Sequence, residues 1–322
     1  MGDYAVAKEL QDCDTGGRRG HNGRQSLSFA VPSLSRGRFV SPVSTASTTP
    51  APPISRRAFL KTSAKGALAA GCVFSLGDAM SLHVTHKTLH LTGLPRSLSG
   101  FKVAFASDFH HGPLVDLPTI REAVDRINAQ SPDVILLGGD YITLGIEYYE
   151  GVFEELSRLA APRGVYSVPG NHEYGNGIVH YRKYLSATPI ADLTNKGFAV
   201  DSGLYIAGLD DEWGGSPDAV AAVADAPSGV PRVVFTHNPA LADLLPAGFA
   251  GLIIAGHTHG WQVYVPGVTR FAMPIDSMRK YRAGYYRTAA GLMYVSRGVG
   301  LYHIPLRLWA SAEVTMFTLK SA

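Results

Sequence analysis

Cysteine is nearly missing from this sequence. Of its 322 residues only Cys13 and Cys72 are cysteine, and both precede the segment in which strand and helix patterns begin. They give no disulfide framework and leave no thiolate downstream to hold a metal, so any ion must rely on His, Asp, Glu or Asn. A sustained charge of one sign is also lacking. The formal net charge is +3, but 10 of the 29 Lys and Arg lie in residues 1–66, against 4 of the 26 Asp and Glu. Beyond residue 80 there are 19 basic and 21 acidic residues. That part offers no field for a phosphate backbone, and no nucleic-acid partner is expected. The apolar run at residues 66–76 is shorter than the ~20 residues a spanning helix needs. No internal repeat is present. At 46% hydrophobic and 17% charged residues, the composition is nevertheless that of a globular chain with a sizeable core.

Three regions follow from the composition. Residues 1–54, rich in Gly, Ser, Thr, Pro and Arg, show no apolar period and read as disorder or as an extension from an upstream start codon. Residues 55–80 begin with "SRRAFLK", a twin arginine at Arg56 and Arg57 followed by Phe59, Leu60, Lys61 and an Ala/Gly-rich apolar stretch. This resembles a twin-arginine export signal, implying the twin-arginine machinery as a partner and an extracytoplasmic, periplasmic or membrane-associated destination. "LAAGC" before Cys72 is faintly similar to a lipidation box. Residues 81–322 read as one domain.

Within that domain, short apolar runs alternate with helical patterns. Residues 101–107, 133–139, 164–170, 232–237 and 251–257 read as strands, and 116–130 and 150–160 as helices, the first with Ile120, Val124 and Ile127 on one stripe. Such alternation predicts an α/β protein with parallel pairing in its first half. The runs "GLMYVSRGVG" and "AEVTMFTLK" read as strands of a mixed or antiparallel sheet.

The polar residues gather where those strands end. The first ends in Asp108 and His110, the second in Asp140 after two glycines, and the third in Asn171 and His172. The fourth ends in His237, and the fifth in His257 and His259. Ligands of open α/β sheets bind at the carboxyl ends of strands, so five separated segments deliver oxygen and nitrogen donors to one edge. Extended backbone points residues i and i+2 to one side. On that basis His257 and His259 are expected to present two imidazoles toward one point, as for a metal ion. The remaining His83, His86, His90, His111, His180 and His303 read as ordinary core or surface histidines.

The ordered set D-x-H, G-D, G-N-H-E, H and G-H-T-H-G, from Asp108 to Gly260, resembles the signature of the calcineurin-like metallophosphoesterases. "VSRGVGLYHIPLRL" is similar to the tail of that group's bacterial exported or membrane-anchored phosphodiesterase branch. The resemblance implies a four-layer α/β/β/α sandwich, two mixed sheets flanked by helices. It implies that Asp108, His110 and His259 hold one divalent ion, that Asn171, His237 and His257 hold another, and that Asp140 bridges them. It makes His172 the catalytic histidine. One departure is Trp261, where the branch usually has a second glycine before Gln262; an indole there is expected to narrow the pocket or offer a stacking face. "GLDDEWGG" (208–215) resembles a loop common in the branch, with no role assigned to Asp210 or Asp211.

The chemistry suits these residue types. Two cations ~3.5–4 Å apart clamp both ends of an in-line displacement and bring the pKa of bound water toward neutrality. Imidazole and oxygen donors without sulfur suit Mn, Fe, Zn or Co without choosing among them. The implied reaction is phosphoester hydrolysis, with diesters favoured and a small-molecule, lipid or cell-envelope substrate. A phosphomonoesterase of the same fold and a non-catalytic metal-binding protein are the alternatives.

Overall fold

The computed structural model describes residues 81–322 apart from 274 and 275. The readings of residues 1–54 as an extension and 55–80 as an export signal lie outside the described residues. Twelve strands are present among the described residues: β1 (Leu82–Leu91), β2 (Lys102–Ala106), β3 (Val134–Leu137), β4 (Val165–Ser167), β5 (Ala191–Asp192), β6 (Lys196–Val200), β7 (Leu204–Gly208), β8 (Arg232–Phe235), β9 (Leu252–Ala255), β10 (Gly284–Arg287), β11 (Leu292–Val295) and β12 (Ala312–Ser321). They form two six-stranded sheets, ordered β1-β12-β2-β3-β4-β5 and β10-β11-β9-β8-β7-β6. Both are mixed. In the first, β12 runs parallel to β1 and antiparallel to β2, while β2 to β5 are parallel. In the second, β7, β8, β9 and β11 are parallel and the edge strands β6 and β10 antiparallel.

Alternation along the strands builds the layers. Val103 and Phe105 of β2 point into the space between the sheets, where they join Val134 and Leu136 of β3, Val233 and Phe235 of β8, and Leu252 and Ile254 of β9. Ala104 and Ala106 point the other way, onto helices α1 (Leu117–Asn128), α2 (Tyr148–Leu156) and, beyond the five-residue α3 (Asn171–Gly175), α4 (Ile178–Leu185). Strands apolar on both faces are what a sheet covered on both sides requires. The outer face of the second sheet is covered more thinly, by the helix Ala219–Ala222, the 3-10 turn Pro239–Asp243 and loop residues such as Phe249. The result is two mixed sheets flanked by helices.

Helix α1 starts where its sequence says it should. The Asp116 side chain accepts the Thr119 backbone N–H at 3.1 Å, and Pro118 sits in the first turn, where its missing N–H costs nothing. Its buried stripe is Ile120, Ala123, Val124 and Ile127. Because β2, β3, β4, β8 and β9 are terminated at one edge of the sandwich, their following loops meet there. Close approach matters at that edge: a Cβ on Gly138 would lie 2.4 Å from the Phe105 ring.

Phe105 is fully buried between the sheets. Phe105→Ala is expected to destabilise the fold by about 3–5 kcal/mol, read as a lowered urea midpoint. A loss under about 1 kcal/mol would show that this ring does not hold the sheets together.

Candidate metal centre

The loops after β2, β3, β4, β8 and β9 bring all eight predicted residues to one buried edge. Three groups of side chains have ligand atoms within 4.8 Å of one another: Asp108, His110 and His259; His110, Asp140 and His172; and Asp140, His237 and His257. Asn171 joins the last group, its Oδ1 3.1 Å from His237 Nε2. Asp140 belongs to two groups and stands between them. Its Oδ2 is 3.1 Å from His237 Nε2 and 3.5 Å from His110 Nε2, while its Oδ1 accepts the His172 backbone N–H at 3.0 Å.

The backbone at this edge is not extended. Asp108 (φ 56°), His110 (49°), Asp140 (55°), His257 (70°) and His259 (51°) all adopt left-handed conformations. His257 and His259 therefore do not address one point, contrary to the strand-alternation expectation. β9 ends at Ala255, and the two consecutive turns beyond it aim His257 at His237 (Nδ1 to Nε2, 3.0 Å) and His259 at His110 (Nε2 to Nε2, 3.0 Å). The pair is split between two clusters.

Hydrogen bonds outside the clusters fix the rings. His237 Nδ1 donates to the Gly138 carbonyl at 2.8 Å and His172 Nδ1 to the Thr143 carbonyl at 2.7 Å, leaving each Nε2 turned inward. Asp108 accepts the Ser107 hydroxyl at 2.5 Å and the His257 backbone N–H at 2.9 Å. The edge of the Trp213 indole meets the His257 ring at 4.4 Å, and the Tyr302 ring packs against His110 and His172 at 5.2 and 5.0 Å.

Two buried ionisable residues, Glu173 and Arg307, organise these loops, and neither has a role assigned from sequence. Glu173 accepts backbone N–H groups of Asp140 (2.8 Å), Tyr141 (3.0 Å) and Gly170 (2.8 Å), joining the loop after β3 to the loop after β4. Its position in the G-N-H-E run was the available signal. Arg307 is fully buried and donates to the carbonyls of Ala310 (2.6 Å), Gly300 (2.6 Å), Arg297 (2.9 Å) and His259 (3.3 Å). It thereby holds the turn at 297–300, whose Gly298 leaves no room for a Cβ, 2.6 Å from that of Asp108. The loop at 210–216 is internally braced: Asp210 accepts Tyr174 Oη (2.5 Å) and Ser216 N (2.9 Å), and Asp211 accepts the N–H groups of Trp213 (2.9 Å) and Gly214 (2.7 Å).

The electrostatics fit a cation in each cluster. Burial holds His110 and His257 down to about 3 and His259 well below the ordinary imidazole value, so these rings stay neutral. Burial also pushes Asp108 up to about 6, and burial with the charge of Asp140 pushes Glu173 up to about 8. Burial opposes a charge on His237 too, but Asp140 outweighs it and raises that imidazole well above its usual range. Nε2 of His237 thus faces Asp140 Oδ2, Asn171 Oδ1 and His257 Nδ1, acceptors that call for positive charge at their meeting point. Neutral imidazoles with carboxylate and amide oxygens are the donors a divalent transition metal takes.

Comparison with known proteins agrees with this geometry. Residues 101–261 match the family model of the calcineurin-like phosphoesterases. The chain is 31% identical over 282 residues to the uncharacterized metallophosphoesterase YkuE of Bacillus subtilis (strain 168), covering 83% of this chain and 98% of that protein. It is 31% identical over 226 residues to Phosphodiesterase YaeI of Escherichia coli (strain K12), covering 68% of this chain and 82% of that one. An uncharacterized metallophosphoesterase of Helicobacter pylori (strain J99) is 28% identical over 225 residues, and the chain spans 59% of its length. Sandwich and site together define a metal-dependent hydrolase of phosphoesters. The chain belongs to the calcineurin-like phosphoesterase family.

Replacing Glu173 by Gln keeps the side-chain volume but turns an amide toward backbone donors. Glu173→Gln is expected to cost about 1–3 kcal/mol of stability and to lower the metal retained after dialysis. An unchanged urea midpoint and metal content would show that the clamp is dispensable.

Proposed function

We propose that this chain hydrolyses phosphodiesters at a centre of two divalent ions, drawn from Mn, Fe, Zn or Co. The observation that carries this reading is the shared position of Asp140, whose Oδ2 lies within reach of Nε2 of both His110 and His237. Asp108, His110 and His259 would hold one ion, Asn171, His237 and His257 the other, and Asp140 would bridge. When bound, such ions supply Lewis acidity toward phosphoryl oxygens and make hydroxide available near neutral pH.

His172 is the catalytic acid in this reading. Its backbone N–H is anchored on Asp140 and its Nδ1–H on the Thr143 carbonyl, so Nε2 is the ring nitrogen that faces the centre. In the proposed step a proton passes from Nε2 to the departing ester oxygen, and the ring stays tied to Thr143 through Nδ1. Positioned acid catalysis of this type contributes about 10²–10⁴ in rate. The diester preference is supported by the similarity to YaeI, which carries the description phosphodiesterase. The near balance of charge beyond residue 80 favours a small-molecule or lipid phosphoester over nucleic acid. The twin arginine at Arg56 and Arg57 supports export by the twin-arginine route to an extracytoplasmic site, with peripheral membrane association.

His172→Ala is expected to retain its metal by elemental analysis while losing at least about tenfold in turnover of an aryl phosphodiester. Undiminished turnover would remove the acid role. Asp140→Asn is expected to lose metal and activity together, and full two-ion occupancy in that variant would rule out the bridge. Elemental analysis of the native protein with a panel of mono- and diesters decides the metal and the ester class.

A further inference from the structure

Apolar side chains that stay in water are not spread evenly over this molecule. Twelve large ones are exposed among the described residues, and six of them, Leu114, Leu144, Ile146, Trp213, Ile304 and Trp309, each 41–69% exposed, belong to the segments that build the metal centre. The turns that enter β2, β3 and β4 at the opposite edge, 92–101, 129–133 and 157–164, carry none of the twelve. An apolar patch gathered around a site marks an interaction surface.

Short contacts tie each of the six to the centre. Leu144 follows Thr143, whose carbonyl holds His172 Nδ1 at 2.7 Å, and Ile146 ends the same turn. Thr143 N donates to the His111 carbonyl at 3.1 Å, and a Cβ on Gly112 would lie 3.5 Å from that of Thr143, so the turn carrying Leu114 runs beside the one carrying Leu144. The Trp213 ring lies 4.4 Å from that of His257, and Ile304 stands two residues from Tyr302, whose ring lies 5.0 Å from that of His172. Trp309 sits between Arg307 and Ala310, the donor and acceptor of a 2.6 Å bond, and Arg307 also reaches the His259 carbonyl. A body that covers this collar therefore meets the centre as well.

Charge and chain direction identify that body. The collar segments 111–116, 141–147, 210–216 and 301–309 hold no lysine, and their one arginine, Arg307, is fully buried, while Asp116 and Glu147 stand exposed at the margin. An anionic surface finds no cation there, whereas a neutral apolar one fits. The chain also enters the domain at this edge. Strand β12 is antiparallel to β2 and parallel to β1, pairing Leu82 with Ala312, so β1 starts at the edge where β2 ends, about 10 Å to its side by strand spacing. The apolar run at residues 66–76 comes just before that start in sequence. Tryptophans beside aliphatic tips are the composition of a membrane-interface belt. We propose that the collar docks on the surface of a neutral phospholipid bilayer and presents the centre to phosphodiesters of the headgroup layer. The inference rests on the phosphodiesterase reading above and deepens it by naming where the substrate is held.

Tryptophan fluorescence reads the docking directly. The chain has three tryptophans, two of them in the collar and none before residue 81. The third, Trp261, is half-buried, with its indole N–H on the Met278 carbonyl at 2.6 Å. The full chain, loaded with metal, is mixed with phosphatidylcholine vesicles, either plain or brominated in the acyl chains. Bromine is expected to quench the native fluorescence at low and high salt alike, and most of that quenching to be lost in Trp213→Phe/Trp309→Phe. Leu144→Ser/Ile304→Ser keeps both tryptophans and replaces only exposed side chains. It is expected to partition onto the vesicles at least about tenfold more weakly, by quenching titration, at an unchanged unfolding midpoint. Absence of quenching overturns the docking surface; if the protein still sediments with the vesicles, the sequence before residue 81 holds it and the collar faces elsewhere. Quenching that needs phosphatidylglycerol and vanishes at high salt also overturns it, as does a dimer in sedimentation equilibrium that dissociates in Leu144→Ser/Ile304→Ser, which would make a second copy the occupant. Docking by a protein that cleaves no phosphodiester would sink the proposed activity and leave the collar standing, whereas cleavage of a soluble aryl diester without docking does the reverse.

Discussion

The centre depends first on a buried carboxyl group, Glu173, whose hydrogen bonds go to backbone and not to candidate ligand side chains. Glu173 gathers the N–H groups of Asp140, Tyr141 and Gly170, and those three donors come from the loops after two neighbouring strands. Without an acceptor between them, each buried N–H would carry a desolvation penalty, and the two loops would have no reason to sit at one height. With it, Asp140 is pinned where its two oxygens face different partners. The glycines complete the fit: a Cβ on Gly170 would stand 2.3 Å from Asp140 Oδ1, and one on Gly139 2.4 Å from Gly170 N.

Five of the seven candidate ligands sit in left-handed backbone, a conformation that costs non-glycine residues of order 1–3 kcal/mol each. The compensation comes from the ordinary parts of the fold. The loops continue the sheet ladders, with Asp108 N donating to Gly139 O at 2.9 Å and His110 N to Asp140 O at 3.0 Å, and the strands beneath them are buried along most of their length. Rigid strands thus hold short turns in conformations those turns would not choose alone.

Much of this was legible in the chain. The strands with apolar residues on both faces and the polar residues at their ends stand out because burial and chemistry change abruptly at one position, as from Leu137 to Asp140. What was not legible falls into three kinds. Strand β1 contains three histidines and a lysine and lies at a sheet edge, so its composition does not announce a strand. The turns at Asp108, His257 and His259 depend on bonds to distant loops; local alternation suggested extended backbone and a shared target for the two histidines, and both were wrong. Tyr302, Trp213 and Arg307 lie in runs that resemble the family, "VSRGVGLYHIPLRL" and "GLDDEWGG", but their contacts with the site come from tertiary packing that those runs do not display. Trp261 stands out in the sequence as a departure, but the hydrogen bond its indole N–H donates to the Met278 carbonyl at 2.6 Å does not.

The position of the last strand has its own consequence for how the protein is made. β12 lies between β1 and β2, zipped to β1 over ten residue pairs, so β1 has no neighbour in the sheet until the C-terminal segment arrives. Pairing across more than two hundred residues is slow and entropically costly. The sheet that carries Asp108, Asp140 and Asn171 is therefore completed only by a loop closure between residues 82–91 and 312–321, a late and slow step in its assembly.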